Sequence, residues 1–179
     1  MTDCWNSTVS GADGTYFSPG QAQAHTPASC AFGILLMHIR ALVAAEAEIE
    51  TAGFAVLGTE LAQELRRAEQ AREALIESCC DVIAADVWRE EDRGLRHMAF
   101  FLLSLLEIES DAERQHLHFR SVLHRDVFGI SGAGVAGRQA QKMQMEFFSR
   151  LDDLAQLQEF GGPGGALDDA ADASEPVPA

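Results

Sequence analysis

The stretch 59–82, TELAQELRRAEQAREALIESCCDV, decides how this chain is to be read. Leu61, Leu65, Ala68, Leu75, Cys79 and Val82 recur at spacings of three, four and seven, and Arg72 is the one polar member of the series. Such spacings keep side chains on one side of an α-helix, as in a helix packed into a bundle. The flanks agree. Thr59 can cap the helix, and Glu60 favours its positive N-terminal end. A helix is expected over 60–85.

Further along the chain, the charged run Arg89-Glu-Glu-Asp-Arg93-Gly94 breaks the pattern. A third helix should follow it to about residue 109, with Leu95, Met98, Ala99, Leu102, Leu105 and Leu106 on one wide apolar arc. Ser110-Asp-Ala-Glu113 matches a capping box, in which the serine hydroxyl and the glutamate carboxylate satisfy each other's free backbone N–H groups. A fourth helix should start there and end near Phe128-Gly129, where glycine can take a left-handed cap. After a glycine-rich loop, a fifth is expected over 137–160, with Met143, Phe147, Leu151, Leu154 and Leu157 inward. Before the opening stretch, 31–50 reads as a helix, with Pro27 and Ser29 ahead of it and Thr51-Ala-Gly53 behind. The fold class is therefore all-α: an antiparallel helical bundle of four to five helices, with helix one or part of helix two as the extra element. Residues 1–28 read as a flexible leader, 29–160 as the helical-bundle domain, and 161–179 as a disordered acidic tail.

Charge limits the partners. The net charge is −15, of which 1–110 carry −10, 111–150 carry +2 and 151–179 carry −7. Phosphate neutralisation needs clustered Lys and Arg, so neither nucleic acid nor an anionic membrane surface is expected. A protein partner with a basic surface would be steered toward this chain, and a homo-oligomer is also allowed. The four cysteines, Cys4, Cys30, Cys79 and Cys80, show no CxxC spacing and suggest neither a zinc site nor a disulfide framework. The start lacks the basic and apolar regions of a signal peptide. The longest apolar run, 98–106, is short for a bilayer span. A cytoplasmic location is expected.

Three groups of residues invite a functional reading. Glu113, His116, Arg120 and His124 share one side of the fourth helix with Leu117, Leu123 and Val127. His116, Arg120 and His124 are expected to face inward as a polar seam or to form an interface, with His118 on the surface. Glu113-x-x-His116 is also half of a di-metal bundle motif, so Glu113, His116 and His124 are the metal-ligand candidates. No second Glu-x-x-His occurs, and Arg120 would repel a cation. Next, Gly132-x-Gly134-x-x-Gly137 matches a dinucleotide fingerprint without the strands that fold requires. Gly134, Gly137 and Arg138 can at most hold a single anion at a helix start. Lastly, Phe100, Phe148 and Phe160 stand at the edges of their helices' apolar faces or beyond them, as contact anchors would.

No Gly-x-Ser-x-Gly motif or P-loop occurs, and no cofactor is expected. The expected function is protein–protein interaction, as an adaptor, inhibitor or dedicated chaperone for a basic partner. The alternative is a metal- or anion-binding bundle built on His116 and His124.

Overall fold

Among the described residues there are five α-helices. They are α1 (Pro27–Ala52), α2 (Thr59–Ala84), α3 (Glu90–Glu107), α4 (Asp111–Leu123) and α5 (Val135–Leu154), with a short 3-10 turn at Arg125–Phe128. The computed structural model describes residues 25–52, 59–130, 134–157 and 160, and there is no strand among them. The leader as far as residue 24, the acidic tail 161–179, Gly53, Gly132 and the side chains of Thr59 and Glu60 lie outside the described residues.

Cross-helix contacts give the chain direction. Arg67 pairs with Glu48 at 2.6 Å, and His38 Nδ1 lies 3.0 Å from the Ala74 carbonyl oxygen, so α1 and α2 run antiparallel. Arg72 donates to the Leu106 carbonyl at 3.2 Å, and Arg96 donates to the Ala85 carbonyl, so α3 is antiparallel to α2. Thr26 and Ser29 at the start of α1 line one small cavity with Ala136, Gln139 and Ala140 at the start of α5, and further along Phe32 meets Phe147 with ring centroids 5.8 Å apart, which sets α5 beside α1 in the same direction. Between α3 and α5, α4 runs back along the outside of the bundle.

The apolar arcs read from the sequence are buried. Leu75, Cys79 and Val82 of α2, the six expected residues of α3, and Phe147, Leu151 and Leu154 of α5 share one core with Phe32, Leu35, Leu36, Ile39 and Leu42 of α1. Burying such side chains contributes about 1.5–3 kcal/mol each before entropy is counted. The first turns of α2 project past this core: Leu65 is 47% exposed.

Several expectations need correction. α1 is not the extra element. It packs on α2, α3 and α5, and the extra element is α4. Pro27 and Ser29 do not precede α1 but start it. Thr26 is its cap: the Ser29 hydroxyl accepts from the Thr26 N–H at 2.8 Å, and the Thr26 hydroxyl accepts from the Ser29 N–H at 3.1 Å. Proline suits the first helical position because its missing N–H would have no helical partner there.

The charged run 89–94 is likewise no break, since it forms the first turn of α3. Glu90, Glu91 and Asp92 stand at the positive end of the helix dipole. Asp92 is buried, and its carboxylate accepts from the Thr26 hydroxyl at 2.6 Å and from the Trp88 and Arg89 N–H groups at 2.9 and 3.0 Å. It thereby ties the start of α1 to the start of α3. Gly94 is needed for close approach, since a Cβ there would lie 2.9 Å from Ile130 Cγ1. Gly129 has φ −56°, so the expected left-handed cap does not form.

α1 also has a property that the run 98–106 does not. Pro27–Thr51 is long and apolar enough to cross a membrane, with a mean hydropathy of 1.8. Here its apolar side chains supply the middle of the bundle core.

Candidate interaction surface on the fourth helix

α4 starts as the sequence suggests. The Ser110 hydroxyl accepts from the Glu113 N–H at 3.4 Å, the serine half of a capping box. Its orientation is not the expected one. His116, Arg120 and His124 are exposed, and Glu113 with them. The inward-facing seam on these residues is thus overturned. The fully buried residues of α4 are Arg114 and Ser121, with His118 and Leu117 half-buried beside them. The helix is turned by about 100°, one residue's step, from the expected position.

The helix faces this way because α5 offers partners to its polar side. The Arg114 guanidinium lies 5.0 Å from the Phe160 ring centre, bonds Asp111 at 3.0 Å and donates to the Ile108 carbonyl. His118 Nε2 lies 3.2 Å from one oxygen of Asp152, and Arg125 lies 3.3 Å from the other. Arg125 also stands 4.8 Å over the Phe148 ring. An arginine over an aromatic face contributes about 0.5–1 kcal/mol, more where water is excluded. A seam does exist, then, on Arg114, His118, Ser121 and Arg125. Its sequence signal is the i, i+4, i+7 spacing of Arg114, His118 and Ser121, which apolar periodicity passes over.

What faces outward instead is apolar. Phe119 is 59% exposed, Leu123 60% and Val127 68%. Phe119, Leu123 and Val127 follow at intervals of four, with His116, Arg120 and His124 interleaved among them. Residues four apart are neighbours on a helix, so Phe119 and Leu123 form a continuous patch.

The remaining candidates fall elsewhere. Phe148 and Phe160 are core residues, not contact anchors: both are 3% exposed, and Phe148 lies in an aromatic chain with Phe101, Phe128 and Phe147 at centroid distances of 5.5–5.7 Å. Phe100 is exposed on α3. Gly134 caps α5 at φ +134°, a conformation suited to glycine, while Gly137 is buried and Arg138 exposed. The start of α5 borders a small cavity lined in part by Arg89, Glu91 and Asp92, where two carboxylates outnumber one guanidinium and so do not favour an anion. Among the described residues, no three His, Cys, Asp or Glu side chains converge to hold a metal ion, and Glu113, His116 and His124 point into solvent. Burial, with a smaller contribution from neighbouring Cys80, pushes the Cys79 thiol from its ordinary 9.0 up to about 12, which keeps it protonated and unreactive.

No family model matches the chain, and no curated protein or solved structure matches it either.

Proposed function

We propose that this protein works by binding another protein, and that the outward face of α4 is its contact surface. The observation that carries this is the exposed apolar pair Phe119–Leu123 on α4, with Val127 exposed in the 3-10 turn beyond, while Arg114 and Ser121 are the residues the helix buries. Contiguous exposed apolar surface rimmed by polar groups marks interaction sites, whereas scattered single residues do not. His116, Arg120 and His124 stand along this stripe as polar rim residues of the interface. The net charge of −15 favours a partner that is basic overall, drawn in by the acidic remainder of the surface. An adaptor, inhibitor or dedicated chaperone would act in this way. The reducing cytoplasm is the compartment that suits it, where the thiols of Cys30, Cys79 and Cys80 stay free.

The test is capture from a source lysate with the wild-type chain and with Phe119→Asp/Leu123→Asp. The double variant should lose the captured protein while its helical circular dichroism stays the same. Equal capture by both proteins would rule out this face.

A further inference from the structure

We infer that α1 pairs antiparallel with α1 of a second copy of this chain, through the apolar stripe that it turns to solvent. α1 is apolar on two sides. Its inner side chains lie in the bundle core, while Cys30, Ile34, Met37, Ala41 and Ala44 follow one another along its outer side at steps of four and three. Ile34 is 44% exposed and Met37 65%; Ala41 and Ala44 are exposed, and Cys30 is half-buried at the N-terminal end of the stripe. Such steps keep one seam in line along a helix, and a seam of this kind is what two paired helices share. Every position of the stripe is uncharged, over about four turns. Copies of a chain with net charge −15 repel one another, and an uncharged face is where that repulsion is smallest.

Residue size and charge set the direction. The stripe, with Glu48 one step beyond it, is symmetric about residue 39. When two such helices run antiparallel, 34 stands against 44, 37 against 41 and 30 against 48. Each bulky residue then meets a small one, Ile34 on Ala44 and Met37 on Ala41, so the helices pack at an even distance. A parallel pair would set Ile34 on Ile34 and Met37 on Met37 and leave the alanines apart. Along α1, residues 27–45 hold Arg40 and no acid, whereas 46–52 hold Glu46, Glu48 and Glu50, with Arg67 of α2 answering Glu48. Antiparallel pairing lays these acids beside the acid-free start of the other copy, the positive end of its helix dipole. Parallel pairing would lay them beside each other. Next to the stripe, Arg40 and Lys142 edge a shallow groove between α1 and α5, with Glu146 as the opposing acid. The seam is about 27 Å long and a helix is about 10–12 Å across, so each copy contributes about 300 Å². That lies under the roughly 800 Å² per partner of a stable complex, and the pair is a weak, reversible one.

Sedimentation of the full chain from micromolar to millimolar concentration tests the pairing. The mass should rise from 19.4 kDa toward twice that value. Added salt should tighten the pair by screening like charge, whereas a basic partner drawn to α4 would bind less tightly. Ala41→Glu places a good helix former at an exposed position and should weaken association at least about tenfold, with helical circular dichroism unchanged. Met37→Gln should weaken it by less. Direction is read from Ile34→Cys/Ala44→Cys, coupled with a short bis-maleimide and mapped by mass spectrometry. The expected covalent dimer joins position 34 of one copy to position 44 of the other. A dimer joined from 34 to 34 overturns the antiparallel pairing. Mass that does not rise with concentration, or a dimer indifferent to both Ala41→Glu and Met37→Gln, overturns the pairing through α1. A monomer retained through the stripe by zwitterionic vesicles overturns it as well and assigns the stripe to a membrane.

Discussion

α3 and α4 are consecutive, with three residues between them, and they bury opposite kinds of side chain. α3 sends Leu95, Met98, Ala99, Leu102, Leu105 and Leu106 into the core. α4 buries Arg114 and Ser121 and leaves Phe119 and Leu123 in solvent. Both begin with acids in the first turn, where the helix dipole favours them. The difference lies in what holds them. Apolar burial holds α3, and it is strong and insensitive to direction. Stacking, partly exposed ion pairs and bonds to carbonyls hold α4, and each such contact contributes little. An element held in this way opens more readily than the core. A helix that can present a surface without disturbing its bundle is a suitable place for a contact face.

The sharpest way to break the comparison is one truncation on each helix. Leu102→Ala should cost about 2–5 kcal/mol, because it empties space in a closed core. Leu123→Ala, at 60% exposure, should stay within about 0.5 kcal/mol. Urea unfolding of the two variants gives both values, and comparable losses would mean that α4 is packed like α3.

A smaller effect is expected at the tether. Arg114→Met keeps the length of the side chain and removes its charge, its stacking on Phe160 and its bonds to Asp111 and the Ile108 carbonyl. Amide exchange in α4 should quicken about tenfold, corresponding to about 1.4 kcal/mol, while exchange in α3 stays the same. Equal acceleration in both helices would show that α4 opens only with the whole bundle.

The smallest effect concerns α2, whose adjacent thiols repeat the contrast of inside and outside. Cys79 is buried and Cys80 exposed. The folded Cys79 thiol sits at about 12 and the unfolded one at 9.0. Above about pH 9 the unfolded chain therefore gives up a proton that the folded chain retains, and stability declines as pH rises. Cys79→Ala should remove that part of the alkaline slope and leave the slope below pH 9 unchanged. Iodoacetamide should label Cys80 in the native protein and Cys79 only after unfolding, which peptide mapping resolves.

How far the sequence could be read depended on how cleanly each helix separates its residues. In α2, α3 and α5 the apolar residues fall on one arc, and burial followed that arc except in the first turns of α2, where Leu65 is 47% exposed. In α1 small and apolar residues run nearly all round, so no face stood out, and the middle helix of the bundle was taken for the extra one. In α4 two stripes compete: Leu117, Leu123 and Val127 with His116 and His124, and, about 100° round the helix, Arg114, His118 and Ser121. The rule that apolar residues turn inward chose the first. It failed because the second had partners that local periodicity does not reveal.

The sequence by itself determined the helical class, the order of the helices and most of the core, because these depend on spacing and local chemistry along one chain. Only the tertiary structure decided which way α4 faces, since Asp152, Phe148 and Phe160 lie 23 to 46 residues beyond the side chains they meet, Arg114, His118 and Arg125, and reach them only after α5 folds back beside them. Contacts between distant residues, more than the content of the helix, set its direction and so left Phe119 and Leu123 facing solvent.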